Sequence, residues 1–199
     1  MDFKNLKWNW DMFGRTNAMG AILTSRGDWD EEAFFESGLL EIEQVMAHAR
    51  SLGMRTRFHQ GLDFGCGVGR LTQALAHYCD SVCGVDIAES MVTLATKSNR
   101  HGDKCRYHLI DTDDLQLFDD NSFDLVYSNI TLQHMEPSYS KSYIKRILRI
   151  FANSVPRWPP SVSAARRTRY WWLASPRRKT GSSSERTQAL SKYQQGIHF

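Results

Sequence analysis

The sequence predicts an α/β protein with a mainly parallel sheet and helices on both faces. Three observations lead there. Strand-like apolar runs alternate with segments of helical period between residues 58 and 150, the pattern left by βαβ units. The first run, Phe58 to Phe64, passes directly into Gly65-Cys66-Gly67-Val68-Gly69 and then into helical spacing, which is strand, glycine turn and helix. Three runs also close on aspartate, at Asp63, Asp86 and Asp111, and a parallel sheet places such residues along one edge.

In chain order, the first segment carries Phe3, Trp8, Trp10 and Phe13, an aromatic arm too irregular in spacing to assign. From Asp28 to Leu52 the apolar residues Phe34, Phe35, Leu39, Ile42, Val45, Met46 and Ala49 recur with helical period. Gly38 is expected to break this stretch and Gly53 to stop it, giving one or two amphipathic helices. Leu71, Leu75, Ala76 and Tyr78 continue the glycine turn as a helix. Ser81 to Ile87 reads as a second strand and Glu89 to Ser98 as a helix. Cys105 to Ile110 and Phe123 to Tyr127 supply two more strands, and Ser138 to Ile150 a further helix.

Charge divides the chain. Residues 1–150 hold 16 Lys and Arg against 21 Asp and Glu, whereas residues 151–199 hold 9 against 1, with four of the five prolines. This shift marks a boundary near Phe151. The expected organisation is an N-terminal arm with cap helices over 1–53, a core over 54–150 and a basic tail over 151–199. The tail's basic residues stand among Trp158, Tyr170, Trp171 and Trp172, a composition suited to nucleic acid, yet basic tails are common and nucleic-acid binding is the less favoured reading. No apolar run is long enough to span a membrane, and the start lacks a signal-peptide stretch, so a cytoplasmic protein is expected. Four cysteines without a C-x-x-C pair read as reduced thiols rather than a disulfide or zinc framework. The chain has no G-x-S-x-G elbow, P-loop or H-E-x-x-H helix, which argues against hydrolase and phosphotransferase chemistry.

The glycine turn is the most informative segment, because glycines at 65, 67 and 69 let the backbone bend sharply beside a ligand. Asp86, closing the second strand, stands where a carboxylate accepts both hydroxyls of a ribose. The spacing is G-x-G-x-G with Arg70 following, not the G-x-G-x-x-G of dinucleotide sites. An edge carrying Asp63, Asp86 and Asp111 repels a pyrophosphate and suits a ligand with a ribose, an adenine amine and a positive centre.

Leu62-Asp63-Phe64-Gly65-Cys66-Gly67-Val68-Gly69-Arg70-Leu71, then Gly84-Val85-Asp86-Ile87-Ala88-Glu89-Ser90-Met91, then Phe123-Asp124-Leu125-Val126-Tyr127-Ser128, resembles the class I S-adenosylmethionine-dependent methyltransferases of the small-molecule kind called methyltransferase type 11. The resemblance covers about residues 30–150, and Trp29 to Met46 looks like the cap helices of bacterial members. It implies a Rossmann-like sheet, S-adenosylmethionine as cofactor and a small-molecule methyl acceptor. It also implies that Asp63, Gly65, Gly67 and Gly69 surround the methionine part and that Asp86 binds the ribose. Ile87 and Met91 would line the adenine, with Asp111 and the Thr112 backbone at its amine, and Ser128 or Asn129 would face the amino-acid end. Asp124 is expected to serve structure by turning the chain into the fourth strand. His134, in Leu132-Gln133-His134-Met135, is the candidate base, weighed against a histidine that merely bonds backbone.

Beyond Ile150 the resemblance fails. The family's fifth strand, helix and final hairpin are not legible in Phe151-Ala152-Asn153-Ser154-Val155-Pro156-Arg157-Trp158-Pro159-Pro160, so the C-terminal half of the sheet is expected to be incomplete. The abrupt Arg, Ser, Pro and Trp richness resembles an out-of-frame continuation. A catalytically inactive remnant or interaction module is therefore the alternative to an active enzyme.

Overall fold

The aromatic arm is a helix. In the computed structural model, which describes residues 2–25, 27–110, 112 and 115–151, α1 spans Phe3–Ile22 with the Asp2 carboxylate accepting from the Asn5 N–H at 2.8 Å. Asn17 leaves helical geometry (φ −148°, ψ 76°) and kinks the helix. Its side chain holds the corner, accepting from Gly20 N–H and donating to the Gly27 carbonyl, both at 3.0 Å.

α2 spans Glu31–Ser51, capped by Asp30, with Glu31 and Glu32 in its first turn and His48 and Arg50 in its last, charges that suit the helix dipole. Gly38 does not break it, contrary to the expectation. A Cβ at this position would stand 2.6 Å from the Arg70 carbonyl oxygen, so the glycine lets α2 approach α3 (Arg70–Leu75) closely.

The sheet is wholly parallel, in the order β3-β2-β1-β4, with β1 Phe58–Phe64, β2 Cys79–Asp86, β3 Cys105–Leu109 and β4 Leu125–Tyr127. α4 (Glu89–Lys97) links β2 to β3, and α5 (Pro137–Ile150) follows β4. The register sets Asp63 beside Gly84 and Tyr127, and Asp86 beside Leu109. β4 begins later than the sequence suggests. Asp124 ties its entrance to β1: its carboxylate accepts from the N–H groups of His59 at 3.0 Å and Gln60 at 2.8 Å and pairs with Arg55 at 3.3 Å. Phe123 bridges in parallel to Phe151.

Apolar cores cover both faces of the sheet. Ile42, Met46, Leu71, Leu75 and Val82 pack α2 and α3 against one face. Leu62, Phe64, Val85, Tyr143 and Ile150 pack α5 against the other. A third cluster, with Phe34, Phe35, Val68 and Met91, joins α1, α2 and α4. Truncating a fully buried phenylalanine such as Phe34 costs about 3–5 kcal/mol.

Among the described residues all four cysteines are free, none of the His, Cys, Asp and Glu clusters could hold a metal, and no helix is long and apolar enough to cross a membrane. Asp111 and the 152–199 tail, with the frame and nucleic-acid readings attached to it, lie outside the described residues.

Candidate functional site

A cavity of about 90 Å³ opens where the C-terminal ends of β1, β2 and β4 meet beneath α1, the place where open parallel sheets bind ligands. Its floor is the glycine turn. Gly65 has φ +78°, and a Cβ there would run into the Thr131 side chain. Gly69 has φ +83°, and a Cβ there would stand 2.6 Å from the Tyr107 hydroxyl. The turn needs glycine for its backbone geometry and because the Thr131 and Tyr107 side chains crowd against it. Gly65, Cys66 and Gly67 border the cavity.

Asp86 stands at one wall. Its Oδ2 accepts from the Gly67 N–H at 2.9 Å and its Oδ1 from the Ala88 N–H at 3.0 Å. Burial raises its pKa above the ordinary carboxylate value, opposed by those two N–H groups. Ile87, Met91 and Ile110 continue this wall as an apolar surface.

The opposite wall is the turn after β4. Ser128 Oγ donates to the Phe64 carbonyl at 2.9 Å and Thr131 Oγ1 to the same carbonyl at 3.2 Å, bolting this turn onto the end of β1. Ile130 sits between them in left-handed geometry (φ 57°), uncommon for a β-branched residue, and strain of this kind costs on the order of 1–3 kcal/mol. Asn129 and His134 face the cavity. The His134 ring meets Trp10 edge to face at 5.2 Å, and burial holds its pKa below the usual histidine value.

Residues 62–153 match the family model described as a methyltransferase domain. The match falls on the segment that holds the glycine turn, Asp86 and the turn after β4. Over 74 residues the chain is 36% identical to a malonyl-[acyl-carrier protein] O-methyltransferase of Bacillus cytotoxicus, an overlap of 36% of this chain and 25% of that protein. Over 75 residues it is 35% identical to a ubiquinone biosynthesis O-methyltransferase of Hydrogenovibrio crunogenus, covering 37% and 31%. The chain thus spans about a fifth to a third of the curated relatives it matches. Among solved structures, Haemonchus contortus phosphoethanolamine N-methyltransferase 1 superposes with a TM-score of 0.59 at 22% identity, covering 75% of this chain and 30% of that one. Magnesium protoporphyrin IX methyltransferase from Synechocystis gives 0.54 at 22%, covering 76% and 68%. These likenesses show the Rossmann-like fold.

Within the matched segment, the structure brings Gly65, Gly67, Asp86, Ile87, Met91, Asn129 and His134 to one cavity. Asp63, Gly69, Thr112 and Ser128 are not among its lining residues. Asp63 lies beneath the turn, 1% exposed, with Oδ2 accepting from Thr72 Oγ1 at 2.7 Å and Oδ1 without a hydrogen-bond partner. Burial pushes its pKa up to about 7, against the Thr72 hydrogen bond and the Arg70 charge. Thr112 uses its carbonyl to accept from the Tyr143 hydroxyl at 3.0 Å.

Sequence reasoning missed Glu41. Its Oε2 accepts from Arg70 at 2.8 Å, and its Oε1 accepts from Asn129 Nδ2 at 2.6 Å and from the Tyr127 hydroxyl at 2.9 Å. It also missed α1, which roofs the cavity with Phe3, Leu6, Trp10 and Ile22. Asp11 pins that roof: its carboxylate accepts from the Ser90 N–H and its carbonyl from Ser90 Oγ, both at 2.8 Å.

Proposed function

We propose that the chain binds S-adenosylmethionine in this cavity and transfers its methyl group to a small-molecule acceptor. The observation that carries the reading is the pairing of Asp86 with the Gly67 backbone on the wall of a cavity that is apolar along Ile87 and Met91. The residues suit the ligand: a carboxylate with two acceptor oxygens matches a ribose diol, and an apolar slot matches a purine. Two relatives matched at 35–36% identity carry the name O-methyltransferase, which supports the reading.

In this reading Asp86 holds the ribose hydroxyls, and Ile87, Met91 and Ile110 enclose the adenine. The backbone of Gly65 to Gly67 flanks the methionine portion, and Asn129, oriented by Glu41, faces its amino-acid end. When bound, S-adenosylmethionine supplies a methyl carbon made electrophilic by sulfonium. The protein's task is alignment, worth about 7–11 kcal/mol when reacting atoms are held in line. α1 excludes water from the reacting centre. Asp63, buried below the turn, sets the turn's position rather than touching ligand.

Calorimetric titration of the full chain with S-adenosylhomocysteine tests this. Saturable binding with a stoichiometry near one is expected, and absence of heat and of thermal stabilisation at millimolar ligand overturns the reading in favour of an interaction module.

A further inference from the structure

Among the described residues, two that are not glycine hold left-handed backbone, Asn121 (φ 61°) and Ile130 (φ 57°). They differ in kind. Asparagine visits this region readily, because its short polar side chain bonds locally, and Asn121 occupies an exposed turn where such a residue is ordinary. Isoleucine carries a branched Cβ that crowds the backbone in this region. A glycine would hold the same turn without that strain.

The bonds around the turn explain the backbone but not the side chain. On one flank Ser128 Oγ donates to the Phe64 carbonyl at 2.9 Å and Asn129 Nδ2 to Glu41 Oε1 at 2.6 Å. On the other, Thr131 Oγ1 donates to the Phe64 carbonyl at 3.2 Å, the Thr131 carbonyl accepts from the His134 N–H at 3.1 Å, and the Leu132 carbonyl accepts from Ser140 Oγ at 3.0 Å. With both flanks anchored, residue 130 reverses the chain in the left-handed region. None of these bonds uses the Ile130 side chain, so the fold would be served as well by glycine.

Burial does not offset the strain either. Ile130 is 45% exposed, whereas Leu62, Tyr143 and Ile150 of the nearby core are at most 1% exposed. The three apolar clusters of the described residues do not take it in. Its place is the cavity wall, in company with Gly65, Asp86 and Met91. A strained apolar side chain left uncovered at a cavity wall has surface that an occupant of the cavity can cover, and backbone strain of this kind gathers where ligands are clamped.

We infer, on the cofactor reading above, that Ile130 is a ligand-contact residue: the left-handed turn holds its branched side chain against the S-adenosyl ligand, so that the chain is less stable and binds more tightly than it would with glycine. Complete burial of an isoleucine side chain corresponds to about 10- to 150-fold in affinity. Since 45% of Ile130 is exposed before binding, the share left for the ligand to cover is about 3- to 10-fold.

The test compares the native full chain with Ile130→Gly, Ile130→Asn and Ile130→Leu, measuring urea unfolding without ligand and calorimetric binding of S-adenosylhomocysteine on each protein. Glycine and asparagine accept left-handed backbone and remove the apolar side chain, whereas leucine keeps the apolar bulk. Ile130→Gly and Ile130→Asn are expected to raise the urea midpoint and to weaken S-adenosylhomocysteine by about 3- to 10-fold. Ile130→Leu is expected to bind within about twofold of the native chain. A midpoint that is unchanged or lowered in both Ile130→Gly and Ile130→Asn overturns the strain. Native affinity in those two variants, or a loss in Ile130→Leu equal to theirs, overturns the contact while leaving the cofactor reading in place. A native chain that does not bind S-adenosylhomocysteine overturns the cofactor reading, and the role of Ile130 with it.

Discussion

The carboxylate of Glu41 and the guanidinium of Arg70 meet at 2.8 Å and join α2 to the first turn of α3 directly beneath the cavity. Arg70 also lies over the Phe34 ring at 5.8 Å and donates to Ser37 Oγ at 3.3 Å. The cap helix is thereby tied to the glycine turn through charge as well as through apolar packing.

Removing one partner of such a pair leaves the other charge buried alone, which costs about 3–5 kcal/mol. Glu41→Ala is expected to destabilise the chain by this amount in urea unfolding. The double variant Glu41→Leu with Arg70→Met is expected to recover most of the loss, because it removes both desolvated charges.

α1 should detach without unfolding the sheet. Gly14 faces Ser90 on α4, where an added Cβ would overlap the Ser90 side chain. Gly14→Val is therefore expected to push the helix off and release the Asp11–Ser90 hydrogen bonds. Amide exchange should then rise along residues 3–22, with β1 and β2 protected as before; uniform loss of protection would show that α1 is integral to the core.

Asp63 gives a pH signature. Its pKa is about 7 in the fold against an ordinary value of 3.8, so between these values the native state binds more protons than the unfolded one. Stability from this group is therefore fully present below about pH 4 and falls as pH rises toward 7, by at most about 1.4 kcal/mol per pH unit. The stability of Asp63→Asn relative to the native sequence should increase across this window. A carbon-13 carboxyl titration should find Asp63 ionising near neutrality, and a midpoint near 4 contradicts the burial argument.

Local pattern made most of the sheet readable. β1, β2 and β3 are short β-rich runs that stop at turn residues, and α4 and α5 keep one periodic apolar face. α1 was hidden because Phe3, Trp8, Trp10 and Phe13 do not share a face: Trp8 is 63% exposed, while the buried residues are Leu6 and Ala18. Gly38 was misread because a glycine's low helix propensity is visible in sequence, whereas the Arg70 backbone it makes room for is 32 positions away. Glu41 was illegible for the same reason, since Arg70, Tyr127 and Asn129 lie 29, 86 and 88 residues on. At the site, motif spacing named seven of the residues around the cavity, Gly65, Gly67, Asp86, Ile87, Met91, Asn129 and His134, but spacing is blind to how far along its strand a side chain sits. Asp63 is the penultimate residue of β1 and sits beside Gly84, bonded to Thr72, while Asp86 is the last residue of β2 and stands at the cavity wall.

The central claim is that Asp86 grips the ribose of an adenosyl ligand. Its most direct test is to titrate the native chain and Asp86→Ala with S-adenosylhomocysteine and with its 2′-deoxy analogue. A hydrogen bond to a charged acceptor contributes about 1.5–3 kcal/mol, so the native chain should prefer the ribose form by roughly 10- to 150-fold, and Asp86→Ala should show no preference. Equal affinity of the native chain for the two ligands, or a preference that survives in Asp86→Ala, contradicts the account.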